Sequence, residues 1–376
     1  MKQSLTKASW EILAILRFFL SFIVLSGHFI WFTGHDGWIE SLDAFGGVAA
    51  VVGFLLISGY SIAASFEREA DGFYRRRFLR VYPLYFCAVT FAFALEIFTS
   101  GHLHLPGREI DSLGWTTAAG NLLFLQTFAI KPIQFDGPVW SLAIEAFYYL
   151  LAPLFARLDR RSLLTLVSIS IFCYALPKHN DWGLAYFALS KFNALNYLWC
   201  WLLGFLLWRE PSPLVVGFAL IGVPLMVFGA NTPQPLAVVT YAITLSALIF
   251  ARRVAIPAAM KSFANYLGDV SYPLYVFHLP ALILGYAVLQ LRSSYALVPL
   301  AVGISIIALH LVDRFLKRRF IVPLLRDAIA ATGPAATRLS VSLFRGSLHL
   351  VTGRREFSLA VTRARQWARD AKSPTP

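Results

Sequence analysis

Residues 16–28 read LRFFLSFIVLSGH and carry one arginine and one histidine inside an apolar stretch that runs from Trp10 to Phe32. A helix needs about 20 mostly apolar residues to cross a bilayer, so this stretch predicts a membrane span. Arg17 and His28 are eleven positions apart, so in a helix they share one face and lie roughly 16 Å apart along its axis. Ionisable groups within a membrane are costly and usually face the bundle interior or a water-filled cavity. The pair therefore predicts chemistry on the inner face of a helix bundle.

The composition of the chain is that of an integral membrane protein. Of its 376 residues, 58% are hydrophobic and 14% are charged, whereas soluble domains carry about 25% charged residues. The net charge of +13 would suggest nucleic acid binding in a soluble protein. No nucleic-acid-binding motif accompanies it, and the enrichment of basic residues in cytoplasmic loops explains the charge. Cys87, Cys173 and Cys200 lie in separate apolar stretches, so neither a disulfide framework nor a metal site is expected.

Further apolar segments predict an all-α, polytopic membrane bundle of about ten helices. The predicted spans are roughly Trp10–Phe32, Ala44–Phe66, Phe78–Phe98, Val139–Ala156, Ser162–Leu176, Leu184–Trp208, Leu214–Phe228, Leu236–Phe250, Val270–Leu291 and Ala296–Phe315. With the N-terminus inside, the inner connections hold 17 Lys and Arg residues and the outer connections hold five. This bias predicts that both termini are cytoplasmic. We expect a membrane domain over residues 1–320 and a basic cytoplasmic tail over 321–376 that lies on the membrane surface.

His28 is the first candidate for catalysis, and Arg17 is the second. A neutral histidine in a cavity can take a proton from a hydroxyl group that attacks an acyl carbon, although a membrane histidine can equally serve as an interhelical hydrogen-bonding residue. Arg17 can bind a phosphate or a carbonyl group in a passage from the cytoplasm. The alternative for Arg17 is a snorkelling side chain at the membrane boundary.

Arg77 and Arg80 are candidates for binding a phosphorylated donor. They stand three positions apart at the predicted start of a helix and are therefore neighbours on one face. Guanidinium groups match phosphate oxygens well, so a cytosolic nucleotide thioester would suit this pair.

Glu145 and His278 lie at predicted depths near that of His28. A carboxylate at such a depth must be paired or neutralised. Glu145 can therefore orient His28 or pair with an arginine as a structural element. Asp269, at the inner end of the helix that carries His278, is expected to be a helix cap.

Five segments together resemble the acyltransferase-3 family of bacterial membrane O-acyltransferases. They are Arg17-x10-His28; residues 53–60, GFLLISGY; residues 77–83, RFLRVYP; residues 140–149, WSLAIEAFYY; and residues 268–278, GDVSYPLYVFH. The resemblance implies a bundle of about ten helices and acyl transfer, usually of acetyl from acetyl-CoA, to a hydroxyl of a carbohydrate or similar acceptor. It also implies a catalytic role for Arg17 and His28, and a donor-binding role for Arg77 and Arg80.

The sequence thus predicts a transmembrane O-acyltransferase domain over residues 1–320, in the cytoplasmic (inner) membrane of a bacterium. Its expected catalytic residues are His28, Arg17 and Glu145, with Arg17 also in the donor site, and its expected substrate-binding residues are His278, Tyr275, Trp140 and Ser141. The co-substrate would be acyl-CoA, without a metal, and the partners would be membrane lipid and a periplasmic carbohydrate. Direct transfer and an acyl-histidine intermediate both remain open.

Two alternative functions follow from the same residues. The first is a transporter or flippase for a phosphorylated or lipid-linked glycan precursor, although no repeated half of the kind common in transporters is visible in the sequence. The second is a membrane scaffold without catalytic activity, in which the charged residues form buried pairs. The acceptor, the acyl group and the oligomeric state are left open by the sequence.

Overall fold

The computed structural model describes residues 8–33, 38–176, 192–228, 234–250 and 256–324. The chain divides into two compact units, Met1–Lys317 and Arg318–Pro376, and the fold described below is that of the first unit. The predicted basic tail lies outside the described residues from position 325 onward.

The described chain is mostly helical. Its α-helices are α1 (Ala8–Thr33), α2 (Gly47–Arg68), α3 (Phe73–Phe98), α4 (Gly114–Leu122), α5 (Trp140–Arg157), α6 (Arg160–Ala175), α7 (Asn193–Asn196), α8 (Leu198–Arg209), α9 (Pro213–Leu220), α10 (Gly222–Phe228), α11 (Ala237–Phe250), α12 (Ala258–Ile283) and α13 (Ser294–Ala308). Short 3-10 helices cover Glu40–Phe45 and Gln134–Val139, and π-helical segments over Leu284–Val288 and Leu309–Ile321 continue α12 and α13.

Within the described residues, six helical segments are long and apolar enough to cross a membrane. They are Trp10–Phe32, Gly47–Arg68, Phe73–Phe98, Gln134–Arg157, Ala258–Val288 and Ser294–Leu324. Pro213–Val227 and Ala237–Phe250 are apolar but shorter. Residues 184–191 of the predicted span Leu184–Trp208 lie outside the described residues. The prediction of a helical membrane protein is therefore confirmed, whereas ten spans and cytoplasmic termini stay predictions.

Helix α12 begins much earlier than its apolar stretch suggested. It starts at Ala258 rather than near Val270, so Asp269 lies in its interior and the predicted helix-cap role for Asp269 is wrong. The carboxylate of Asp269 is instead bound by Arg314, whose Nη2 lies 3.0 Å from Oδ2. A true cap is formed by Asp159, which accepts a hydrogen bond from the Ser162 N–H at the start of α6. Hydrogen bonds from Ser162 hold the pKa of Asp159 below its ordinary value.

Two helix pairs form the centre of the bundle, namely α1 with α12 and α2 with α8. The α2–α8 contact depends on two glycines. A Cβ atom at Gly59 would collide with the carbonyl oxygen of Trp201, and one at Gly204 would collide with that of Leu56. Small residues allow membrane helices to approach closely, so these two positions bring the backbones of α2 and α8 into direct contact.

A β-hairpin between α3 and α4 forms the only β-sheet among the described residues. His102–Leu105 pairs antiparallel with Arg108–Asp111. The turn of the hairpin rests on the end of α1, because the Gly107 N–H donates to the Trp31 carbonyl over 3.0 Å. The hairpin therefore lies at the end of α1 that carries His28.

Candidate active site

A cavity of about 560 Å³ opens among α1, α2, α3, α5, α8 and α12. Its wall contains six of the residues singled out from the sequence, namely Arg17, Arg77, Arg80, Ser141, Glu145 and Tyr275. These residues come from four helices, so the bundle brings them together although they are far apart in the chain. Arg68, which the sequence analysis did not single out, lines the same cavity.

Arg17 lines the cavity next to Gly268, whose missing side chain leaves room for the guanidinium. Gly268 of α12 packs directly against Ala14, and a Cβ atom at Gly268 would also lie 3.4 Å from Arg17 Nη2. Arg17 forms no ion pair with any described residue, and its buried Nε has no hydrogen-bond partner there. The guanidinium is thus held in the bundle without a neutralising carboxylate in contact, which is an arrangement that suits an anionic ligand.

Arg77 is fixed by α2. Its Nη2 donates to Ser65 Oγ over 2.6 Å, and its Nε, like that of Arg17, lacks a partner among the described residues. Arg17 and Arg77 each lie close enough to Arg80 for mutual repulsion. Because like charges held together raise the free energy of the empty cavity, an anion bound between them would be stabilised.

Glu145 lies on the arginine side of the cavity. One of its carboxylate oxygens accepts a hydrogen bond of 2.6 Å from Tyr149, one helical turn further along α5. The carboxylate attracts Arg17 and Arg77 electrostatically. No contact joins Glu145 to His28 within the described chain. The helical spacing of Glu145 and Tyr149 could have identified this bond from the sequence.

The cavity carries an excess of positive charge. Four arginines line it, Arg68 included, against the carboxylates of Glu145 and Asp269. Asp269 is already bound by Arg314 and attracts Arg17 at longer range, so the two carboxylates do not balance the four guanidinium groups. In the part of the chain that the structure describes, no cluster of three or more His, Cys, Asp or Glu side chains could hold a metal ion. The cavity is therefore suited to a phosphorylated or otherwise anionic molecule.

His28 and His278 form a pair of imidazoles that lies close to the cavity but outside its wall. His278 Nε2 lies 3.3 Å from His28 Nδ1, and the ring centroids are 5.1 Å apart. His28 Nδ1 donates to the Val24 carbonyl over 2.7 Å, and His278 Nδ1 donates to that of Tyr275 over 2.8 Å. Since a carbonyl only accepts, Nδ1 carries the proton in each neutral ring. His28 Nε2 is then the nitrogen that can accept a proton.

Tyr275 connects the cavity with the imidazole pair. Its ring lines the cavity and lies 6.2 Å from the ring of His278. Its hydroxyl shares a hydrogen bond of 2.6 Å with Ser141 and donates to the Pro138 carbonyl. The described residues place neither histidine in the cavity wall itself. Tyr275 therefore stands between the arginines that line the cavity and the imidazole pair, which lies outside the cavity wall.

In the described part of the chain, Trp140 contacts neither the arginines of the cavity nor the imidazole pair. It packs on Tyr197, with ring centroids 5.2 Å apart, and does not line the cavity. Trp31 is closer to the imidazoles, because its ring stands edge-on to His28 at 4.8 Å, and the Arg108 guanidinium lies over the Trp31 ring at 4.3 Å. Sequence analysis missed both Trp31 and Arg108, although Trp31 stands one helical turn after His28.

A membrane bundle with a cationic cavity and a nearby pair of imidazoles is compatible with an enzyme that transfers a group from an anionic co-substrate. Comparison with known proteins agrees. The family model of the acyltransferase domain, Acyl_transf_3, matches residues 10–312, which is most of the chain. The protein therefore belongs to this acyltransferase family and is an acyl-transferring enzyme.

Two named relatives support this conclusion. "Acyltransferase MdmB" of Streptomyces mycarofaciens is 29% identical over 301 residues, a match that covers 66% of this chain and 72% of the relative. "Putative acetyltransferase ORF330" of Acidianus two-tailed virus is 24% identical over 243 residues, covering 60% of this chain and 68% of the relative. No solved structure matches the chain.

Proposed function

We propose that the protein is a membrane O-acyltransferase that moves an acyl group, acetyl in the first instance, from cytosolic acyl-CoA to a hydroxyl of a cell-surface or exported carbohydrate. The observation that carries this proposal is a cationic cavity whose lining residue Tyr275 has its ring 6.2 Å from that of His278. His278 in turn contacts His28, and the chain belongs to the acyltransferase family. In this proposal the chain lies in the inner membrane of a bacterium, and the carbohydrate reaches His28 from the periplasmic side.

The donor enters from the end of the cavity that is rich in arginines. Arg77 and Arg80 bind the phosphates of acyl-CoA, since guanidinium groups recognise phosphate through paired hydrogen bonds. The slender pantetheine arm then extends past Arg17 toward Tyr275. Because Arg17 and His28 share a face of α1 about 16 Å apart, this helix guides the thioester toward the imidazole.

His28 acts as the general base. Its Nε2 takes the proton of the acceptor hydroxyl as the oxygen attacks the thioester carbonyl. The carbon–sulfur bond breaks, the ester forms, and the proton passes from the imidazolium to the departing CoA thiolate. His278 is a positioning residue in this scheme, because its Nε2 faces His28 Nδ1 at 3.3 Å and stabilises the imidazolium. We favour direct attack over a transient acyl-histidine.

Replacement of His28 tests this mechanism. In purified protein supplied with acetyl-CoA and extracted envelope glycan, free CoA released with glycan acetylation measures turnover. Loss of a general base typically lowers the rate about 100- to 10,000-fold, so we expect His28→Ala to fall within this range. His104→Ala is the matched control, because the side chain of His104 is 75% exposed on the outer hairpin, and it should retain full rate.

Three results would contradict the proposal. Full turnover by His28→Ala would remove His28 from the mechanism. Tight binding of a lipid-linked glycan that is unaffected by CoA, without release of CoA, would instead favour a transporter or flippase. If the variants Arg17→Ala and His28→Ala changed only the amount of protein in the membrane, a scaffold role would account for both residues.

A further inference from the structure

The arginine-rich end of the cavity also carries an aromatic surface that the proposed mechanism does not use. Trp10, in the first turns of α1, and Trp208, near the end of α8, both line the cavity. Their ring centroids are 6.0 Å apart. We call these two side chains the tryptophan platform. We propose that the tryptophan platform binds the adenine ring of the donor nucleotide, an inference that rests on the proposed use of acyl-CoA.

The tryptophan platform is held in place by the residues behind it. Tyr60 is 1% exposed and stands edge-on to Trp208 at 5.1 Å and to Trp10 at 6.1 Å. The indole nitrogen of Trp208 donates to Glu67 over 2.9 Å. These contacts fix the planes of both indoles, so the platform needs little reorganisation when a ligand binds.

The combination of aromatic rings with guanidinium groups identifies the ligand class. Arg68 ends α2 and Arg77 and Arg80 begin α3, and all three line the same cavity as the tryptophan platform. A purine stacks on aromatic faces, while arginines bind its phosphates. A lipid headgroup would use the arginines alone, and an acyl chain would use the aromatic rings alone. An adenosine carrying phosphates uses both groups.

The geometry also assigns a direction to the donor. Trp10 and Arg17 lie on the same helix, seven positions apart, which corresponds to roughly 10 Å along the axis. Adenine at the tryptophan platform therefore leaves the phosphates near Arg77 and Arg80 and directs the pantetheine arm past Arg17. The Asn265 side chain, which lines the cavity from α12, supplies amide groups that can bond the edge of a base.

Truncated donors test this inference. Acetyl-CoA and acetyl-pantetheine carry the same thioester, but only acetyl-CoA carries the nucleotide. We expect Trp208→Leu to lower kcat/KM for acetyl-CoA about 5- to 100-fold, the range expected from the loss of one base–aromatic stack. The rate with acetyl-pantetheine should stay unchanged. Trp115→Leu is the matched control, because Trp115 lies at the start of α4, does not line the cavity and is 73% exposed.

A binding measurement keeps this test separate from the proposed function. Adenosine 3′,5′-bisphosphate has no thioester, and its affinity for full-length protein in nanodiscs should fall by the same factor in Trp208→Leu and in Trp10→Leu, with partial recovery in Trp208→Phe. Equal losses with both thioesters, or unchanged affinity for the bisphosphate in both Leu variants, would overturn the inference. If wild-type protein bound the bisphosphate but did not use acetyl-CoA, the proposed function would fail and the nucleotide site would stand.

Discussion

Arg17 is a buried charge that we expect to contribute more to ligand binding than to stability. Its guanidinium lies within a membrane helix, and no described carboxylate forms an ion pair with it, although Glu145 attracts it at longer range. A buried charge without a partner in contact destabilises the folded state, whereas replacement by an apolar side chain of similar length is often neutral or stabilising. Groups that destabilise the folded state in this way are common at functional sites.

We therefore predict that Arg17→Met separates stability from activity. The thermal midpoint in detergent should stay equal to that of the wild type or rise, while kcat/KM for acetyl-CoA should fall about 10- to 100-fold, the loss expected for one charge-assisted hydrogen bond. Arg75→Gln is the control, because Arg75 is exposed on α3 and does not line the cavity. A large fall in the midpoint of Arg17→Met would show instead that Arg17 holds the fold.

At the scale of the elements, two kinds of contact bring the site together. Backbone contact at Gly59 and Gly204 draws α2 toward α8, which positions Arg77 through Ser65 on α2 and brings Trp208 to the cavity. Side-chain packing along α1 and α12 places the two imidazoles in register. The glycine contact lies away from the imidazoles, whereas the packing of α1 on α12 includes them.

The close contact of α2 and α8 predicts a strong effect of a single methyl group. Gly59→Ala forces a Cβ atom against the Trp201 carbonyl, and overpacking of this kind costs about 1–3 kcal/mol, so the thermal midpoint should fall by several degrees. Gly303→Ala in α13 is the matched control. Its Cβ would meet nothing within 4 Å, so this variant should be neutral or slightly stabilised. Equal midpoints for the two variants would show that the helices can separate without cost.

The sequence predicted contacts within one helix better than contacts between helices. The spacing of Arg17 and His28 sufficed to predict a shared helix face, because helical periodicity is local. The pairing of His28 with His278 was anticipated only through estimated depths, and it depends on the parallel packing of α1 and α12. The tryptophan platform was not predicted, since Trp10 and Trp208 come from helices about 200 positions apart and no local pattern connects them.

Helix ends were the least predictable feature. The apolar stretch suggested a start near Val270, but α12 continues back to Ala258 through a polar segment. That segment is stabilised by contacts with other elements, such as the ion pair between Asp269 and Arg314. Hydropathy reports the portion of a helix that can lie in lipid, whereas helix length also depends on neighbours that the sequence does not reveal.

For the whole molecule, orientation in the membrane is the central prediction from the charge bias. We expect a cysteine at His104 to react with a membrane-impermeant maleimide in intact cells, and a cysteine at Arg161 to react only after permeabilisation. Protein that carries only the native cysteines gives the background, since Cys173 and Cys200 are buried and Cys87 is partly buried. The reverse pattern would place the hairpin in the cytoplasm and exclude the proposed route of the acceptor.

The imidazole pair has a mechanical consequence for the enzyme. His28 and His278 belong to different helices, and their facing nitrogens are 3.3 Å apart. A slide of α12 along α1 by one residue, about 1.5 Å, would either push the rings into each other or separate them beyond hydrogen-bonding reach. If His28 is the base as proposed, any motion that admits or releases substrate must keep α1 and α12 together or interrupt the contact between the two imidazoles.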